Sequence, residues 1–215
     1  MASNGRIINP AVPNLPLGTK EYEQRYQDQF TNILRLYFNQ LRNALSELLG
    51  NTGGKYLAFP YAAIQRTTNK TFTANTATQI TFNQNDFLNG CTNDGTDGIV
   101  VQQAGIYNYQ FSVQFANTDA GVQTAYIWLR VNNVDVPGTG SKFDVPSKHA
   151  GSDGYLIAAC NFYVSLNAGD YVTMYAAAAN ASVYMAASAA QTSPFPAPSI
   201  PSVVATLSFV SALTA

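Results

Sequence analysis

The hydrophobic period of this chain changes once, and the change limits the folds open to it. From Lys20 to Leu49 there is neither Gly nor Pro, and Phe30, Leu34, Tyr37, Leu41, Ala44 and Leu48 follow one another at spacings of 4, 3, 4, 3 and 4. That spacing is the heptad seam of a helix, and Phe38 and Leu45 widen it on one side. Gly50-Asn-Thr-Gly-Gly54 stops the run. From Tyr56 onward apolar residues recur at every second position, the period of strands. The chain therefore reads as an extended arm over 1–20, a helical stalk over 21–50, a glycine-rich linker over 51–57 and a β knob over 58–215. A broad stripe over three heptads suits a parallel three-stranded coiled coil with Phe30, Leu34, Tyr37, Leu41 and Leu48 on its seam; the alternative is a single amphipathic helix lying on its own domain.

The arm, Ile7-Ile-Asn-Pro-Ala-Val-Pro-Asn-Leu-Pro-Leu-Gly-Thr19, mixes apolar residues with three prolines that block helix and sheet ladders. Ile7, Ile8, Val12, Leu15 and Leu17 have no core of their own, so they either dock on another protein or belong to a disordered tail.

In the knob, Tyr107, Tyr109, Phe111, Val113 and Phe115 alternate with Asn108, Gln110, Ser112 and Gln114. Ile127, Leu129 and Val131 alternate with Tyr126, Trp128 and Arg130 ahead of an Asn132-Asn133 turn. Leu156 to Leu166 alternates through Ala158, Cys160, Phe162 and Val164; Gly169-Asp170 opens a strand through Val172, Met174 and Ala176. Val203, Ala205, Leu207 and Phe209 share one face of the last strand. Earlier runs at Ala58–Gln65, Thr71–Ala74, Gln79–Phe82 and Gly98–Gln102 bring the total to eight to ten short strands with no helical pattern between them. This is the spacing of an antiparallel jelly-roll sandwich, and the fold class is mostly β with an N-terminal helix. The proline-rich stretch Pro194–Pro201 is a loop before the last strand, a rigid spacer or a ligand-contacting tip.

The order Gly98-Ile99, Ala104-Gly-Ile-Tyr-Asn-Tyr-Gln-Phe-Ser112, Trp128-Leu-Arg-Val-Asn-Asn133, Leu166-Asn-Ala-Gly-Asp-Tyr-Val172 and Leu207-Ser-Phe209, with Phe59 and Phe87 before it, resembles the globular head of complement component 1q and its tumour necrosis factor relatives. It is similar also to jelly-roll modules in structural proteins of tailed bacteriophages, marine and cyanobacterial ones among them, where such strands follow a short helix. The resemblance covers about residues 56–215 and implies a compact homotrimer with its N- and C-termini close together at the base. Unlike the animal heads, this chain has no collagen-like stalk; the heptad helix stands in its place.

Charge narrows the function. Charged residues are 11% of the chain, against about 25% in an ordinary soluble domain. No Glu follows Glu47, and no charged residue of any kind follows Asp170. Hydrophobic residues at 47% with a net charge of -1 exclude general disorder, and the absence of a basic excess argues against nucleic acid. The neutral tail is either buried between subunits or wetted by its hydroxyls and amides. Burial makes the chain an obligate oligomer, with Tyr126, Trp128, Leu207 and Phe209 at the knob's subunit contact; Lys at Leu207, an inward-facing position of the last strand, is expected to lower trimer yield more than Lys at Ser208. The start, Met1-Ala-Ser-Asn-Gly-Arg6, has no apolar segment of a secretory signal, and no run reaches the ~20 residues of a membrane span.

Reactive chemistry finds little to stand on. His149, the single histidine, lies near Ser147, Ser152 and Asp153 in a loop that lacks an oriented base and an oxyanion hole. Asn93-Asp94-Gly-Thr-Asp97-Gly98 offers oxygens to calcium without the full spacing of a calcium loop, and turn chemistry explains it as well. Cys91 and Cys160 indicate no disulfide, and the sequons at Asn69 and Asn180 are idle without secretion. No cofactor, metal or catalytic residue is expected. The expected function is that of a bacteriophage virion structural protein made in the host cytoplasm: a trimeric capsid decoration, collar or fibre knob, docked on capsid, portal or tail proteins by its arm and in reach of the host surface. The alternative is a soluble trimeric lectin-like or cytokine-like module binding a glycan or protein, with Trp128 and Tyr126 as its exposed aromatics.

Overall fold

A computed structural model describes residues 10–18, 20–49, 59–93 and 98–213. The chain divides between Ala58 and Phe59 into two compact units.

In the first unit, helix α1 runs Gln24–Leu49. It starts after residue 21 because residues 20 and 21 form a bend. Phe30, Leu34, Tyr37, Leu41 and Leu48 are all half-buried, whereas Leu36, Phe38 and Leu45 beside them are exposed. Within its own unit this stripe is therefore only half covered. Tyr26 stacks on Phe30 at 6.2 Å between ring centroids, and its hydroxyl donates to the Pro16 carbonyl at 3.4 Å. The end of the arm is thereby tied back to the first helical turn. Val12 and Leu17 remain 88% and 92% exposed; Ile7 and Ile8 lie outside the described residues.

The second unit is a β sandwich. In chain order its strands are β1 (Tyr61–Arg66), β2 (Lys70–Thr71), β3 (Thr78–Ile80), β4 (Gln84–Asn89), β5 (Cys91–Asn93), β6 (Ile99–Val101), β7 (Gly105–Asn117), β8 (Gln123–Val131), β9 (Val134–Asp135), β10 (Ser141–Val145), β11 (Gly154–Leu166), β12 (Tyr171–Ala178), β13 (Val183–Met185) and β14 (Val203–Ser211). Sheet A runs β2-β13-β7-β14-β1-β4, with β11 on the far edge of β7. Sheet B runs β10-β8-β12-β6-β5, with β3 also on β12 and β9 on β8. Successive long strands change sheet (β7 in A, β8 in B, β11 in A, β12 in B, β14 in A), and their pairs are antiparallel, the strand order of a jelly roll.

The expected alternation holds. Tyr107, Tyr109, Val113, Phe115, Ile127, Leu129, Val172, Met174, Ala205 and Leu207 are buried between the sheets, each large side chain there contributing about 1.5–3 kcal/mol of transfer free energy. The β8–β9 turn has Asn132 and Asn133 at φ 50° and 66°, the left-handed pair of a tight hairpin, which Asn tolerates. Gly105 opens β7 where a Cβ would strike the Phe209 ring and the Ser211 carbonyl. Phe59 stacks on Phe209 at 6.0 Å, and the Phe209 amide donates to the Pro60 carbonyl at 2.9 Å. The chain therefore enters the sandwich beside the strand on which it leaves, as the resemblance implies.

Fourteen strands occur among the described residues, more than the eight to ten expected. β4 is an edge strand whose residues are nearly all exposed, so it has no apolar alternation to read. β10 does alternate, Phe143 and Val145 with Lys142 and Asp144, but in a short run set among turns. Between β13 and β14 the proline-rich stretch belongs to a sparse hairpin bridged at Ser188 with Ile200 and at Gln191 with Ala197, with Phe195 exposed at its tip.

Candidate functional site

Because side chains alternate along a strand, each sheet has one face in the core and one outside. The two outer faces of this sandwich differ in kind. On sheet A, Tyr61, Ser208, Asn108 and Tyr163 stand opposite one another across β1, β14, β7 and β11. The next row is Ala63, Thr206, Gln110 and Asn161, and the next is Gln65, Val204, Ser112 and Ala159. None of these is charged, and β7, β11 and β14 contain no charged residue at all. The carboxylate nearest in sequence register is Asp86 on the β4 edge, which accepts from Gln65 Nε2 at 2.7 and 2.8 Å. Apolar surface is exposed on the same strands: Ile157 at 66% and Tyr163 at 67%, with Tyr155 and Val210 similar. A shallow depression of about 210 Å³, lined by Gln110, Phe111, Ser112, Val204 and Thr206, lies in the middle of the rows.

Sheet B faces outward with charge and aromatic rings. Trp128 on β8 pairs with Tyr175 on β12, their ring centroids 5.9 Å apart. The Arg130 guanidinium lies 3.9 Å over the centre of the Tyr175 ring, a cation–π contact. Asp135 Oδ1 accepts from both Trp128 Nε1 and Arg130 Nε at 2.6 Å. The Arg130 hydrogen bond, and then that of Trp128, hold the Asp135 carboxyl below its ordinary value, while the same Arg130–Asp135 bond raises the guanidinium. The Tyr175 hydroxyl donates to Gln79 Oε1 at 3.3 Å. One row further, Tyr126 is 47% exposed and stands between Ala177 on β12 and Lys142 on β10. Asp144 accepts from Thr124 Oγ1 at 2.8 Å and lies 3.7 Å from Lys142 Nζ.

The four residues expected at the knob's subunit contact do not share a surface. Leu207 is fully buried inside its own sandwich, so it has nothing to present to a neighbour. That expectation is corrected, because the in-phase residues of the last strand face the core and its outward residues are Val204, Thr206, Ser208 and Val210. Phe209 is half-buried between Phe59 and the edge of Tyr107, 5.5 Å away, again mainly an internal contact. Tyr126 and Trp128 do face outward, on the opposite side of the sandwich from the uncharged rows.

The remaining candidates come apart. His149 pairs by its backbone with Ser152 around Ala150 and Gly151, both at positive φ, and Asp153 accepts the Tyr184 hydroxyl at 2.9 Å, so its carboxylate is engaged away from the histidine. Asp94 and Asp97 lie outside the described residues. No group of three or more metal-ligating side chains occurs among the described residues. Cys91 and Cys160 are both free thiols; burial pushes Cys91 up to about 11, which suppresses its thiolate. No helix among the described residues is long and apolar enough to cross a membrane.

No protein-family model matches the chain, and no curated protein sequence matches it. Among solved structures, the globular domain of zebrafish complement 1qA protein is similar at a TM-score of 0.42 and 13% identity, covering 72% of this chain and 99% of that one.

Proposed function

We propose that this chain is a non-enzymatic homotrimeric structural protein of a virus particle, in which the outer face of sheet A is buried between copies of the sandwich. The observation that carries the trimer is the uncharged face itself. Desolvating an unpaired charge costs several kcal/mol, so a face due for burial favours uncharged residues, and β7, β11 and β14 carry no charge at all. The four strands β1, β14, β7 and β11 offer a footprint on the order of 650 Å², at about 3.3 by 4.8 Å per residue. A standard interface takes about 800 Å² from each partner. The half-covered stripe of Phe30, Leu34, Tyr37, Leu41 and Leu48 would close as a three-stranded coiled coil. The particle reading rests on the resemblance of Gly105–Asp119, Ile127–Asn132 and Phe162–Val172 to phage modules, and the exposed Val12 and Leu17 supply a docking segment for a capsid, portal or tail component.

Sedimentation of the intact protein tests the assembly: three copies of a 23.1 kDa chain are expected, and a monomer overturns it. Deleting residues 1–20 is expected to leave a trimer that no longer joins the particle; a truncated protein incorporated at full occupancy would refute docking by the arm. A second reading, a soluble trimeric binding module with no particle, is favoured by the ordered aromatic and charged cluster around Trp128, which a purely architectural face has no need to maintain.

A further inference from the structure

We propose that the outer face of sheet B is a binding site for a neutral glycan, with the exposed Tyr126 as its stacking ring beside the half-buried Trp128 and Tyr175. This gives the second reading a ligand class, and it does not depend on the trimer, since one copy of the chain carries the whole site.

Three observations point to a sugar. Trp128 and Tyr175 are held before any ligand arrives: Asp135 fixes the indole through Nε1, Arg130 stacks on Tyr175, and Gln79 takes the Tyr175 hydroxyl. Ring orientation therefore costs little on binding. Next to them, the residue opposite Tyr126 across the ladder is the small Ala177. The methyl leaves a low shelf beside an exposed phenol, where the flat apolar face of a pyranose can lie. Finally, the rim is charge-balanced. Arg130 and Asp135 form one pair at 2.6 Å, and Lys142 and Asp144 another at 3.7 Å. With two cations against two carboxylates the rim has no net charge to attract a polyanionic saccharide, while hydroxyls both donate to carboxylates and accept from the cations. A protein partner covering the same face would have to dry four charged groups; a sugar leaves them wet at the edge.

Trp128 is the single tryptophan of the chain, so its fluorescence reports on this face alone. Full-length protein is titrated with linear hexasaccharides of glucose, galactose and mannose, and with a sulfated hexasaccharide as the anionic control. The expected result is a saturable change in Trp128 emission with at least one neutral hexasaccharide, and binding at least about ten-fold weaker in Tyr126→Ala with circular dichroism and sedimentation unchanged. Because Tyr126 is exposed, the fold does not depend on it, and Tyr126→Phe is expected to keep most of the affinity by keeping the ring. No emission change with any neutral hexasaccharide, unchanged binding in Tyr126→Ala, or tighter binding of the sulfated sugar each overturns the proposal. An emission shift that instead tracks protein concentration marks the face as a subunit contact and also overturns it, whereas loss of the trimer alone leaves it standing.

Discussion

Ser208→Lys separates the outer face of sheet A from everything behind it. Ser208 is exposed, flanked by Tyr61 on β1 and Asn108 on β7, and in a lone sandwich a lysine there reaches water freely. Its cost to the fold is then within about 0.5 kcal/mol. In the proposed trimer the same ammonium appears three times on an interface with no carboxylate in the facing rows. At about 3 kcal/mol for each uncompensated ion, assembly loses about 9 kcal/mol, roughly a million-fold in the trimerisation constant. Leu207→Ala, one residue away, should do the reverse. Leu207 is 0% exposed, so truncation leaves a cavity costing about 2–5 kcal/mol of fold stability, without adding charge to the outer face. Sedimentation velocity across a concentration series reads assembly, and thermal unfolding of the dissociated protein reads the fold. Ser208→Lys is expected to sediment as a monomer with an intact β-sheet spectrum. If it remains a trimer down to the same concentration as the parent, the face is not an interface and the inference from missing charge fails.

Four further outcomes follow from particular contacts. Leu34→Asp or Leu41→Asp places a carboxylate on the helix seam and should lower trimer stability by several kcal/mol while leaving the sandwich spectrum unchanged; an unaltered trimer removes the coiled coil. The Tyr109 hydroxyl is buried with no hydrogen-bond partner among the described residues, whereas that of Tyr107 donates to the Gln103 carbonyl at 2.7 Å. Tyr109→Phe should therefore be neutral or stabilising by about 1 kcal/mol and Tyr107→Phe destabilising by about 1–2 kcal/mol, a difference that thermal melts of the pair resolve. Gly105→Ala, whose Cβ would meet the Phe209 ring and the Ser211 carbonyl, should cost about 1–3 kcal/mol by overpacking and be relieved only in part by Phe209→Leu, since the backbone contact remains. Asp135 has a depressed folded-state pKa, so its hold on Trp128 is complete above the ordinary carboxylate value of about 3.9 and is lost only as pH falls through the lower folded value. Trp128 emission should be flat from about pH 7 to 5 and change below about 4; a transition at higher pH contradicts the assignment.

The sandwich was legible where strands bury one face only. Tyr107 to Phe115 and Ile127 to Val131 show the alternation in full, because core and solvent impose opposite demands on neighbouring residues. The edge strand β4 was not legible, since Gln84–Asn89 makes no such division. The interaction surfaces were half legible. Charge depletion after Asp170 is visible in the residues, but sequence alone does not say which phase of an alternating strand meets the core, and both phases of β14 are uncharged. Placing Leu207 and Phe209 at the subunit contact took the more hydrophobic phase for the interface. β14 lies between β1 and β7, a central position in which the apolar phase is needed inside. The Trp128 cluster was missed as a unit because Tyr175 and Asp135 reach it through different ladders, β12 and β9 on either side of β8, a juxtaposition set by strand order.

In the proposed trimer, symmetry would account for one face without charge and another that carries it. In a closed trimer each side chain near the axis meets its own copies, so a lone charge there faces like charge as well as losing water. A pair such as Arg130 and Asp135 escapes that penalty only if it stays intact and at least partly hydrated. Strands lining an axis are therefore driven toward Tyr, Ser, Asn and Gln, which hydrogen-bond to themselves across a symmetric contact, since each amide or hydroxyl carries both donor and acceptor. Asn108, Gln110, Ser112, Asn161, Tyr163 and Ser208 are of this kind, with the apolar Ile157, Val204 and Val210 among them on the same face. The outward residues of β8, β9 and β10 are not: they keep Arg130, Asp135, Lys142 and Asp144, and surround three aromatic rings with them. A sandwich with one face suited to its own copies and the other to a hydrated ligand can repeat three identical ligand sites around an axis. Three weak sites held rigidly together raise the avidity for a repetitive surface far above that of one, which ties the neutral face of sheet A to the use of the charged face of sheet B.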